Sequence, residues 1–296
     1  MIKKITLVDT HTHIHDAEFF NQDDEKICEI LINSAANGVK KMMLVGTSLE
    51  DSKNAVFFAK KWEKFGNENG IEFAVALGIH PHESDPKLER NIESQISAFE
   101  IFAKKTVEEG IVKVAAIGEI GLDYFYDFEF RERQMELLRG QLKVAKKLSL
   151  PVNFHVRDFR KPDTEKSVWK DFWKVFEEDN FSDFGIKIPV IFHSYTEQSR
   201  ENLAKILKFP NAYFGVNGIS TFAKNSERDL WKNEIPLSKI LFETDAPFLS
   251  PAGFRGKVNE PARIFTIAEN LAKIREKSLE EIAKTTTKNA ENALSF

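Results

Sequence analysis

Eight short apolar runs set the frame of this chain, at 5–8, 42–45, 73–77, 114–117, 151–154, 189–192, 212–214 and 240–242. Each is continuous rather than alternating and rich in β-branched or aromatic residues, the pattern of parallel strands buried on both faces. Amphipathic stretches separate most of them. Over 131–148, Leu138, Leu142, Ala145 and Leu148 recur at spacings of four, three and three, which puts them on one helical face, and the stretch stops before Pro151. Eight strands alternating with helices over about 250 residues is the arithmetic of a (β/α)8 TIM barrel; a doubly wound open sheet is the rival. No Pro/Gly/Ser linker, charge block or repeat divides the sequence, so 1–296 is expected to form one domain. The stretch 262–294 reads as a C-terminal helical extension, a final helix followed by a short one. The charged stretch 160–187, with Trp169 and Trp173 four apart, reads as an elaborated helix and loop between strands five and six.

Composition narrows the class. With 42% hydrophobic residues, Gly 14, Pro 10 and Cys 1, a collagen-like, disulfide-stapled or disordered chain is excluded. The 42 basic and 46 acidic residues leave a net charge of −4, which disfavours holding nucleic acid on a broad basic surface. A phosphate substrate then needs another source of positive charge. Cys28 is the sole cysteine, so no intramolecular disulfide is available and the cytoplasm is the default compartment. The apolar N-terminal run is too short for a signal-peptide core, and none approaches the roughly 20 residues of a membrane helix. No membrane association is expected.

The polar residues carry the functional information. Six runs end directly in a potential ligand: LVDTHTH in His11 and His13, ALGIH in His80, AAIGE in Glu119, VNFH in His155, VIFH in His193 and LFETD in Asp245. In a barrel these positions converge on the C-terminal rim, where such enzymes place their active sites. Side chains two apart on a strand share a face, so His11 and His13 can serve one ion. Any of these histidines alone is as readily a hydrogen-bonded strand terminus; six strand ends carrying such groups at equivalent places are harder to obtain that way. Buried carboxylates beside imidazoles are costly without a cation. Four histidines and two carboxylates suit two divalent ions sharing a Glu, with Zn²⁺ or Mn²⁺ fitting better than Mg²⁺, and the lack of cysteine ligands favours catalysis over a closed structural site.

The strings VDTHTH, GIHPH, AIGEIGLDY, RERQ with Leu150-Pro151-Val152-x-x-His155, FHSYT, FETDAPFLSP and RGKVNEP resemble the TatD-type metal-dependent deoxyribonucleases of the amidohydrolase-like barrels, from Asp9 to about Pro261. The resemblance implies that His11, His13 and Asp245 hold a first metal, that Glu119 bridges, and that His155 and His193 complete a second site. It implies Asp245 as general base on the attacking water, and Glu119 and His80 as catalytic, with His80 at the scissile phosphate. Arg255, Lys257 and Asn259 would contact substrate. The implied activity is DNA hydrolysis, as a 3′–5′ exonuclease on single strands; some relatives instead hydrolyse D-aminoacyl-tRNA. Two ions against two ligand carboxylates would leave the site positive by about two.

Three departures stand out. Val258 replaces the arginine of the family's RGKRNEP string, Asp158 and Phe159 replace small residues, and the stretch between His155 and His193 is long, so the substrate groove is expected to be reshaped. His15 is read as a rim histidine. Tyr124, Tyr126 and Phe222 are the candidates for base stacking, although most of the 26 phenylalanines are core filler. Lys60, Lys61 and Lys64 read as a solvated helix face. A catalytically silent scaffold remains as another class, and so does a lactonase or phosphotriesterase, although those often bridge their metals with a carboxylated lysine and strand four offers Glu119 instead. DNA is expected as a transient substrate, with no obligatory protein partner, on a monomer or weak dimer.

Overall fold

Eight strands, β1 (Leu7–Thr12), β2 (Val39–Val45), β3 (Glu72–Leu77), β4 (Lys113–Asp123), β5 (Val152–Arg157), β6 (Val190–Phe192), β7 (Ala212–Val216) and β8 (Ile240–Phe242), pair in parallel, in the order of the sequence. They come from a computed structural model, which describes residues 5–20, 23–125, 129–158, 167–178, 181, 183–196, 199–222, 233–294 and 296. A doubly wound sheet would reverse its strand order at a switch point; this order does not reverse, and β8 returns to β1. Their seam is tied by Thr10 Oγ1 donating to Phe242 O (2.9 Å), Asp245 N to His11 O (2.8 Å) and His13 N to Ala246 O (2.7 Å). Asp9 reinforces it, accepting from the backbone N–H and hydroxyl of Thr244 at 2.9 and 2.6 Å. The sheet is thus a (β/α)8 barrel, closed at the strand ends that carry the polar groups.

The helices are α1 (Ala17–Phe20), α2 (Asp24–Ala36), α3 (Leu49–Asn69), α4 (Ile92–Glu109), α5 (Arg131–Leu148), α6 (Val168–Glu178), α7 (Arg200–Leu207), α8 (Ile264–Ile274) and α9 (Leu279–Ala293). Side chains of Ser48, Asn91 and Ser278 accept the first free N–H groups of α3, α4 and α9, while α3 and α4 stop at Gly70 and Gly110 in the left-handed region. No described helix is long and apolar enough to cross a membrane.

Two cores result. The larger lies between strands and helices; the smaller fills the barrel with Val8, Met43, Val45, Ala74, Ala76, Ala115, Ile191, Tyr213 and Leu241. Ala290, Ala293 and Leu294 join that inner core, and Asn289 Nδ2 donates to Leu237 O and Ile240 O at 2.8 Å each. The last helix, expected to be short, therefore spans 15 residues and stoppers the end of the barrel opposite the rim.

Other boundaries moved. The first strand runs on through His11, and the fourth continues past Glu119 to Asp123, because the polar groups there have partners inside the fold. In the 160–187 stretch, Trp169 and Trp173 do share a buried face, on α6, packed against Phe192 and Phe209. Asp158 starts that helix, accepting from Ser167 Oγ (2.9 Å) and Val168 N (3.3 Å). Phe159 lies outside the described residues. Lys60, Lys61 and Lys64 are solvent-exposed on α3, as expected.

Candidate metal centre

The strand ends bring His11, His13, Glu119, His155, His193 and Asp245 together in two adjoining clusters. In the first, His13 Nε2 lies 3.3 Å and His11 Nε2 3.6 Å from Asp245 Oδ1, and the two Nε2 atoms are 3.2 Å apart. In the second, Glu119 Oε1 lies 2.6 Å from His155 Nδ1 and 3.6 Å from His193 Nε2. Glu119 joins them: its other oxygen, Oε2, is 3.5 Å from His11 Nε2. The rings of His11 and His193 stack across the join at 3.7 Å. Asp245 reaches its place from a left-handed backbone (φ 55°), an uncommon conformation for a non-glycine residue, fixed by its N–H on His11 O.

The donor chemistry fits divalent metal. His13 Nδ1 is 2.7 Å from Val45 O and so carries the proton, leaving a lone pair on Nε2 aimed at a carboxylate. A divalent cation between them removes that repulsion. Without metal, a proton serves. Burial pulls His13 down, but the hydrogen bond and charge of Asp245 outweigh it and lift the group to about 9. Burial likewise opposes His155, and Glu119 and Asp123 raise it to about 10. Burial pulls Glu119 up, but His193, His155 and His11 outweigh it and hold its carboxyl well below the usual carboxylate range. Hard and borderline divalent ions prefer such nitrogen and oxygen donors.

Three outer groups hold the ligands, and two of them are carboxylates. Besides Val45 O on His13, Glu243 Oε1 lies 3.0 Å from His193 Nδ1, and Asp123 Oδ2 lies 3.0 Å from His155 Nε2. Glu243 is fully buried and accepts from Ser194 N at 2.7 Å. It fits only because residue 215 is glycine: a Cβ there would stand 2.1 Å from Glu243 Oε2. Sequence reasoning passed over both carboxylates. The available signal was two acids, Glu243 in LFETD and Asp123 in GLD, sitting directly in apolar strings.

His80 stands beside the second cluster, Nε2 3.8 Å from Glu119 Oε1 and its ring 4.5 Å from that of His155. Burial, then the neighbouring His155, lowers it to about 3, so it is neutral. Its Nδ1 accepts from His82 N–H (3.2 Å), which places its proton on Nε2, facing the centre. His15 is a buried rim histidine, 3.1 Å from Asp51 Oδ1.

The expected substrate contacts are placed less uniformly. Arg255 and Lys257 are exposed in the loop after β8, over the rings of Phe222 (5.9 Å) and Phe254 (6.0 Å). Asn259 is instead fully buried: its Nδ2 donates to Thr244 O and its Oδ1 accepts from Glu260 N, so it holds the loop rather than facing a groove. Val258 is exposed, and its carbonyl accepts from Arg263 Nη1 at 2.6 Å. Tyr124 is no stacking surface either, since it is fully buried with its hydroxyl on Asp171 Oδ2. Tyr126 lies outside the described residues. Phe222 is half-buried under Arg255.

A (β/α)8 barrel with clustered His, Asp and Glu at its C-terminal rim is the architecture of metal-dependent barrel enzymes, hydrolases among them. Likeness to known proteins specifies which kind. Residues 8–295 match the family model described as TatD related DNase, and the chain belongs to that family. It is 31% identical to the Bacillus subtilis protein called uncharacterized metal-dependent hydrolase YabD, over 96% of this chain and 97% of that one. It is 30% identical to the similarly described YcfH of Escherichia coli, over 96% and 93%. Among solved structures, the TatD homolog YJJV of Escherichia coli covers 98% of both chains at 26% identity with a TM-score of 0.76.

Proposed function

We propose that this chain is a two-metal phosphodiester hydrolase that acts on DNA, trimming single strands from the 3′ end. The observation that carries the reading is Glu119, which turns one carboxylate oxygen to each cluster. His11, His13 and Asp245 would hold one divalent ion, His155 and His193 the other, and Glu119 both, with Zn²⁺, Mn²⁺ or Mg²⁺ as candidates. When bound, divalent ions there would supply a water of lowered pKa and polarisation of a phosphoryl oxygen. Asp245, facing both His11 and His13, accepts the proton that the attacking water gives up. His80 donates from Nε2 to a phosphoryl oxygen as charge develops there. Arg255 and Lys257, in the loop after β8, supply cations for flanking phosphates. The unpaired Cys28 suits a cytoplasmic enzyme, a monomer or weak dimer that meets DNA transiently.

The test supplies metal-stripped protein with Mn²⁺, Mg²⁺ or Zn²⁺ and two substrates in parallel, a 5′-labelled single-stranded oligonucleotide and a D-aminoacyl-tRNA. Stepwise shortening of the oligonucleotide is expected. Cleavage of the tRNA ester alone would replace the substrate, and cleavage of neither with any metal would leave a silent scaffold.

A further inference from the structure

Asp123 stands outside both clusters, yet it touches a residue that belongs to one. His155 is held at each end by a carboxylate, Nδ1 2.6 Å from Glu119 Oε1 and Nε2 3.0 Å from Asp123 Oδ2. A neutral imidazole has one proton and one lone pair, so whichever carboxylate takes the proton decides which nitrogen can meet a metal. Glu119 faces His193 and His11 as well; Asp123 faces neither.

We propose that Asp123 is a positioning residue: it takes the Nε2 proton of His155 and thereby commits Nδ1 to the ion that Glu119 and His193 share. The inference rests on the metal reading of the centre.

Asp123 is built not to move. Its backbone is clamped by Gln134, which accepts from Asp123 N (2.8 Å) and donates to Asp123 O (2.9 Å), and its Oδ1 accepts from Phe125 N (2.9 Å). Oδ2 is left for His155. A second imidazole approaches the same oxygen from outside, His82 Nε2 at 3.1 Å. His82 is half exposed and, like Asp123, borders a cavity of about 420 Å³, yet Asp123 itself is only 2% exposed. His82 thus completes the carboxylate's set of partners on the cavity side, and Arg157 Nη1, 3.9 Å away, adds a cation. This gives the second histidine of GIHPH and the acid of GLD a shared task. A proton-accepting carboxylate behind a ligating histidine fixes the tautomer and raises the ring's basicity, and its removal typically weakens metal binding 10- to 100-fold.

Zn²⁺ affinity of the whole chain is measured by competition with a chromophoric chelator for the unaltered protein, Asp123→Ala and Asp123→Asn, with circular dichroism as the check on folding. Asp123→Ala is expected to weaken at least one bound equivalent by about 10- to 100-fold. Asp123→Asn keeps an oxygen acceptor for Nε2–H and should recover part of that loss, which a generic packing defect would not. If Asp123→Ala does not fold, the Asn variant carries the affinity test. Nitrogen-15 NMR of the Zn²⁺-loaded unaltered chain reads the ring directly, and His155 should carry its proton on Nε2. Unchanged affinities in a folded Asp123→Ala, or a proton on Nδ1 of His155, overturn the proposal. A chain that binds no divalent metal at all removes the metal reading itself, and this proposal with it.

Discussion

His13 shows how one side chain can commit a site to a cation. With Nδ1 tied to Val45 O, its Nε2 lone pair faces Asp245, and in the metal-free chain a proton fills the gap. His13 then titrates at about 9 and His155 at about 10, both above the ordinary 6.5. A raised folded-state value means that these imidazolium–carboxylate contacts stabilise fully below about pH 6.5 and cease to as the pH climbs through 9 to 10. The metal-free protein should accordingly lose thermal stability across that interval. Metal must displace the same protons, so uptake at pH 7.5 should release roughly one to two of them, read by calorimetry in buffers of different ionisation heat; no release would contradict the assignment. Asp245→Asn keeps a weaker oxygen donor but no base, so it should retain some metal while turnover falls by about 10²- to 10⁴-fold. Glu119→Ala should lose metal and turnover together. Bound metal and phosphodiesterase rate decide, and full activity in either variant contradicts the roles of base and bridge. That these groups meet was legible in the sequence, because each closely follows an apolar run that forms a barrel strand. Asp123 and Glu243 were not, since a buried acid is tolerable only with partners far along the chain, such as Ser194 and Asn217 for Glu243.

At the scale of elements, α5 positions two rim groups at once. Gln134 and Gln141 lie two turns apart on one buried face; the first clamps Asp123 and the second clamps Ile79, accepting from its N–H at 2.7 Å and donating to its carbonyl at 2.8 Å. Ile79 precedes His80, so one helix sets the heights of both β3's and β4's polar ends. Gln141→Leu keeps the volume but strands a buried N–H and carbonyl, and should cost about 2–4 kcal/mol. Urea unfolding should show a lower midpoint with an unchanged slope; a midpoint within error of the parent would mean that the clamp is dispensable. The apolar spacing of Leu138, Leu142 and Ala145 made α5 readable as a helix, and all three are buried. The glutamines on the same face looked like polar interruptions, because a backbone partner far along the chain has no signature in side-chain periodicity. The seam is equally hidden: Asp9 looks like a strand-end acid, yet it serves Thr244, 235 residues away.

For the molecule as a whole, the barrel arithmetic was legible and the charge arithmetic was not complete. The expected local excess of about two positive charges counted only Glu119 and Asp245 against two ions. Asp123 and Glu243, in contact with His155 and His193, bring two further carboxylates, and Arg157 beside Asp123 brings one cation, so the excess of the centre and its surround falls to about one. A chain with net charge −4 then has little long-range pull on DNA. If single strands are the substrate as proposed, binding would rest on contacts at the ions and on rim cations such as Arg157, Arg255 and Lys257. If about two phosphates are neutralised beyond the scissile one, the log–log dependence of single-strand affinity on salt should have a slope near −1.4, a loss of about sevenfold between 50 and 200 mM. Metal-loaded Asp245→Asn is the form to titrate, since it holds the strand without consuming it. A loss of about a thousandfold over the same range would mean about seven phosphate contacts, and hence a basic track that neither the composition nor the described surface leads one to expect.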